Sequence, residues 1–138
     1  MMTRMAMAFM TGIGLCVLAG PALAEEAEVF DVGKELSGAG QGRRVANVSL
    51  VKRPGYTVNA VAVKDEIPMH RHDDGSHVLY IVSGRGTATL GGKPVTLKPG
   101  MVVHIPQAVD HSIKVEGGEM RFVDFVRHST DPTVKDKK

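Results

Sequence analysis

From Arg43 to Val126 the chain never runs far before a turn residue interrupts it. Pro54-Gly55, Gly84-Arg85-Gly86, Gly91-Gly92-Lys93, Lys98-Pro99-Gly100 and Glu116-Gly117-Gly118-Glu119 cut it into short apolar runs. Such runs leave no room for long helices, whereas strands of about five residues fit between the turns. The alternation agrees. In residues 56–64, Val58, Ala60 and Ala62 fall on one side, and Thr57, Asn59, Val61 and Val63 on the other. Side chains two apart in a strand share a face. Strands are expected over residues 43–53, 56–64, 77–83, 87–90, 94–97, 101–105, 111–115 and 120–126. Roughly eight short strands spaced about ten residues apart indicate an all-β sandwich or barrel. With aromatics at 4% and no Trp, the core must rest on Val, Ile, Leu, Ala and Met.

The histidines favour the barrel. Three of the six lie at His70, His72 and His77. His70 and His72 are two apart, so an extended chain points both imidazoles at one spot. The segment Asp73-Asp74-Gly75-Ser76 reads as a turn, and His77 opens an apolar run that reads as the returning strand of a hairpin. His111 follows a further strand and turn and is the natural closing ligand. Imidazoles from separate strand pairs can meet only inside a barrel-like jelly roll with a central pocket, and converging imidazoles are metal ligands. The other polar and aromatic residues read more plainly. His104 belongs on an outer or interface face, and His128 on the surface. Asp110 points away from His111 into solvent, and Asp73 and Asp74 belong to the turn. Tyr80, Phe122 and Phe125 read as core, and Met69, Met101 and Met120 as apolar packing.

The amino-terminal segment is separate. Met1-Met2-Thr3-Arg4 is a positive start, residues 5–18 are apolar, and Ala22-Leu23-Ala24 is a small-residue cleavage signal. This pattern is that of a secretory signal peptide cut after Ala24, giving a periplasmic or secreted protein with no membrane attachment afterwards. The only cysteine, Cys16, would leave with it, so the mature chain has no thiolate ligand, nucleophile or disulfide. With Arg4 gone, 16 basic residues face 15 acidic ones. No basic stripe stands out, so nucleic acid is not an expected partner. The expected organisation is a signal over 1–24, an N-terminal arm or edge strand over 25–42, the barrel over 43–127, and a charged tail over 128–138.

The histidine segments resemble the two motifs of the cupins. The first, G-x5-H-x-H-x3,4-E-x6-G, is matched by His70-x-His72-x4-His77-x6-Gly84, with Lys64 at the leading glycine and His77 at the glutamate. The second, G-x5-P-x-G-x2-H-x3-N, is matched by Gly100-x5-Pro106-x-Ala108-x2-His111-x3-Val115, with Ala108 for glycine and Val115 for asparagine. The resemblance is to small single-domain bacterial cupins. It implies a double-stranded β-helix, a homodimer, and one divalent transition metal per chain held by His70, His72, His77 and His111. Four neutral imidazoles would leave the ion its full +2, favouring Zn, Cu or Ni, with Fe also compatible. Off the metal, His77 would serve as a general base or as a donor behind the ligands. The expected function is an exported metal-binding cupin acting on a small organic molecule as a dioxygenase, lyase or isomerase. The alternative is a binding protein for metal or a small ligand, without turnover. Its fold alone does not choose between them.

Overall fold

A computed structural model describes residues 25–130. The signal segment, its cleavage site, Cys16 and the end of the charged tail lie outside the described residues. One short helix, α1 (Val32–Ser37), precedes seven strands. These are β1 (Val45–Arg53), β2 (Tyr56–Val63), β3 (Glu66–His70), β4 (Gly75–Leu90), β5 (Lys93–Leu97), β6 (Val102–Ile105) and β7 (His111–His128).

Two long strands organise the rest. β4 and β7 run antiparallel and pair twice, once over Gly75–Ile81 with Phe122–His128 and again over Arg85–Leu90 with His111–Glu116. Between the two stretches the register shifts around Gly84, where β7 carries extra residues including Gly117 and Gly118. Gly84 has φ +83, and a Cβ there would collide with the Glu119 carbonyl and the Met120 backbone. The strands bend at this crossing, so one paired ladder becomes two facing halves. One half adds β2 and β1 beyond β7, and β6 beyond β4. The other adds β3 beyond β7 and β5 beyond β4. The result is an all-β double-stranded β-helix. Between the halves lie Val61, Val63, Leu79, Ile81, Leu97, Ile105, Ile113, Met120 and Phe122, all buried. Core filling by aliphatics and Met follows from the scarcity of aromatics.

Two sequence expectations change here. Residues 25–31, where an arm or edge strand is expected, form no strand, and from Val32 the chain turns into α1, because the Asp31 side chain accepts a hydrogen bond from the Lys34 N–H and caps the first turn. Leu36 of this helix is buried against Ala46, Ala60 and Ala62 on the outer face of the sheet. The histidine hairpin is also absent. β3 pairs with β7, bringing His70 opposite His111, and not with β4. His70 and His77 therefore belong to opposite halves of the barrel. Residues 71–74 cross between the halves, and the Ala108 N–H bond to the His72 carbonyl (2.8 Å) holds the crossing.

Candidate metal centre

His70 ends β3, His111 begins β7, and His72 follows in the crossing segment. Their side chains form a group whose ligand atoms all lie within 4.8 Å of one another. The Nε2 atoms of His70 and His72 are 3.1 Å apart. Two nitrogens bound at about 2.0–2.1 Å to one ion span roughly 2.9–3.4 Å, so this pair has metal-ligand spacing. The ring centres of His70 and His111 are 4.2 Å apart.

Backbone acceptors fix the tautomers. Nδ1–H of His70 donates to the Pro68 carbonyl at 2.8 Å, and Nδ1–H of His111 donates to the Val109 carbonyl at 2.8 Å. A carbonyl can only accept, so Nδ1 carries the proton and Nε2 keeps its lone pair. This is the state in which imidazole binds a metal. The donor set fits a divalent transition ion.

His77 stands beside this group rather than within it. Its ring centre is 4.1 Å from that of His72 and 6.4 Å from that of His111. Its Nδ1 contacts both oxygens of Asp124, at 2.9 and 3.1 Å, leaving Nε2 as its free atom. His77 and Asp124 are both 8% exposed. Asp124 was not singled out from sequence, although a signal exists. Met120, Phe122 and Asp124 occupy one face of β7, and a carboxylate in that buried series needs a partner. Asp124 places a carboxylate beside the four imidazoles, returning to the centre the acidic group that His77 removes from the motif.

All four histidines line one cavity of about 230 Å³. The family profile of the cupin domain matches residues 58–126, half of the chain. The chain belongs to the cupin family. Solved structures agree on the fold. A conserved protein with a double-stranded β-helix domain from Klebsiella pneumoniae superposes at TM-score 0.66 with 19% identity, covering 76% of this chain and 93% of its own. A cupin-2 domain protein from Shewanella frigidimarina gives 0.62 and 20%, covering 72% and 94%. A predicted oxalate decarboxylase from Thermotoga maritima gives 0.57 and 19%, covering 62% and 81%. No curated protein sequence matches the chain.

The electrostatics of this cupin favour the neutral forms of His72 and His111. Burial is the main force lowering the pKa of His72 to about 4, and the neighbouring His77, His70 and His111 add to it, against Asp74. His111 is lowered chiefly by burial as well, despite its bond to the Val109 carbonyl. Arg71, between two of the histidines, faces outward and grips Asp110 at 2.8 and 3.0 Å. Asp110 is thus ion-paired rather than simply solvated. His104 is exposed on the outer face, as expected. His128 is half-buried and bonded to the Thr57 hydroxyl at 2.8 Å, because the last strand continues to it. Phe122 and Met120 are core, but Tyr80, Phe125 and Met69 are exposed. Tyr80 and Phe125 alternate with core residues on β4 and β7 and so fall on the outer face.

Proposed function

We propose that this cupin is a small metalloenzyme holding one divalent transition metal through His70, His72 and His111, with the Nε2 of His77 as the fourth imidazole. The observation that carries this reading is the group of three histidines, two with Nδ1 committed to backbone carbonyls, opening onto a cavity. A bound ion would polarise an oxygen of the substrate as a Lewis acid. The chain supplies the rest. Asp124 holds the ring of His77, and Ile67, Leu79, Ile105, Phe122 and Val126 exclude water around the substrate. The class of reaction is a dioxygenase, lyase or isomerase step on a small organic molecule.

Two further parts of the reading concern context. Export follows from the signal over residues 1–24, with the mature chain starting at Glu25. Homodimerisation is supported by the outer sheet face, where Tyr56, Tyr80, Val82, Val102 and Phe125 are exposed. These outward residues lie on β2, β7, β4 and β6, which are neighbours in the sheet, and a patch of this kind is what two copies would cover. Among the described residues no helix is long and apolar enough to cross a membrane.

Metal analysis of purified protein, supplied in turn with Zn, Cu, Ni and Fe, tests the centre. The expected result is about one ion per chain, lost in His70→Ala and His111→Ala. A folded chain that takes up none of these ions would sink the reading.

A further inference from the structure

The cavity lining also carries information about the molecule that enters. Among its residues Asp124 is the one fixed anion, and both its oxygens are engaged by His77. Among the described residues no lysine or arginine lines the cavity. Apart from the histidines, the remaining polar groups are the carboxamides of Asn47 on β1 and Asn59 on β2. Among the described residues neither side chain has a hydrogen-bond partner. Register places them on the inward face. Asn47 stands opposite Val61, and Asn59 stands between Ser49 and Asp124. Asn59 therefore adjoins the residue that holds His77. β1 is the outermost strand of its half, so Asn47 sits at the open side of the cavity and is itself exposed.

We infer that this cavity takes an uncharged, oxygen-bearing small molecule of the hydroxyketone or polyol class, gripped by the carboxamides of Asn47 and Asn59. The inference rests on the metal-centre reading and gives it a substrate class. A carboxylate or phosphate is normally met by an arginine or lysine, singly or as a fork. Here an anion would meet the ion alone, with no side-chain cation to grip its far end, and would lie near the Asp124 carboxylate. A carboxamide offers two donors and an acceptor, which matches hydroxyl and carbonyl groups that both give and receive hydrogen bonds. Amides left without partners also discriminate against molecules that cannot satisfy them. The volume, equal to that of about seven or eight waters, limits the ligand to a few carbons.

The test uses the cobalt-loaded protein and two kinds of probe. Dihydroxyacetone, hydroxyacetone and glycerol are the uncharged probes, and acetate reports a ligand whose contact is with the ion alone. Binding is read by calorimetry and by the cobalt absorption bands. Asn47→Ala and Asn59→Ala should each weaken the best uncharged probe about tenfold, the loss of one satisfied hydrogen bond, and leave acetate unchanged. The inference is overturned if all three uncharged probes fail to bind at millimolar concentration. It is equally overturned if their affinities ignore both substitutions, or if acetate weakens in parallel. Cobalt content is measured first. A chain that takes up no cobalt refutes the metal-centre reading instead. Ligand-observed NMR on the metal-free chain then still reads whether contact with the uncharged probes depends on Asn47 and Asn59.

Discussion

Replacing Asp124 by asparagine isolates the charge it brings. The carboxylate accepts Nδ1–H of His77 at 2.9 Å, and both groups are buried. The asparagine carbonyl can accept the same proton, so the ring keeps its place while the negative charge is lost. A hydrogen bond to a charged group contributes about 1.5–3 kcal/mol and a neutral one about 1 kcal/mol. The difference, about 0.5–2 kcal/mol, is one that the bound ion should feel through the imidazole. Since 1.4 kcal/mol is tenfold in an equilibrium constant, Asp124→Asn should weaken zinc binding by roughly 2- to 30-fold. This overlaps the 10–100-fold range typical of groups standing behind metal ligands. Competition against a chromophoric chelator at fixed pH measures it. Asp124→Ala, which loses both the charge and the hold on the ring, should fall further. The double variant His77→Glu/Asp124→Asn moves the carboxylate to the motif position and should recover most of the affinity. Zinc affinity unchanged in Asp124→Asn, with His70→Ala losing it, would refute the argument that Asp124 supplies the site's charge.

Other consequences are simpler to read. Ala108 has φ +62, where a residue with a Cβ costs about 1–2 kcal/mol and glycine does not. Glycine gives back about 0.5–1 kcal/mol through unfolded-chain entropy, so Ala108→Gly should stabilise by about 0.5–1 kcal/mol. That is a rise in Tm of roughly 3–5 °C by thermal denaturation, and a lower Tm would contradict it. Gly84→Ala forces a Cβ into the Glu119 carbonyl and should cost about 3 kcal/mol or more, seen as loss of soluble folded chain. In metal-free protein, the lowered pKa values of His72 and His111 mean that the unfolded chain binds protons first as pH falls below about 6.5. Folded stability should therefore fall with pH from about 6.5 towards 4. Tm measured at pH 7.5 and pH 5 checks this, and His72→Gln should flatten the slope.

The strands, the barrel and the converging histidines were legible because each rests on local spacing. Alternation marks a strand whatever it pairs with, and the i, i+2 rule placed His70 and His72 without knowledge of the partner. Pairing itself was not legible. β3 joins β7, 41 residues on from His70 to His111, while a turn of four residues pointed to β4. The charge of the site escaped for the same reason, since Asp124 lies 47 residues from His77 and no motif links them. At Ala108, by contrast, the departure from the motif glycine was visible. Only the backbone angle shows that this alanine occupies a position suited to glycine.

The pairing of Arg71 with Asp110 bears on how an ion would come and go. In His70-Arg71-His72 the imidazoles turn inward and the guanidinium outward. In Asp110-His111 the carboxylate turns outward and the imidazole inward. The two histidine-bearing segments are thus joined through the β3–β7 pairing of His70 with His111 and riveted on the outside by an ion pair. Withdraw the ion and the rivet stays, with the Ala108 bond to His72 beside it. The frame of the centre does not depend on an ion, so a bound metal would be exchangeable in the folded state. On the metal-centre reading, the supply around the finished molecule would then decide which element it carries, and not the ion present when the chain first folded.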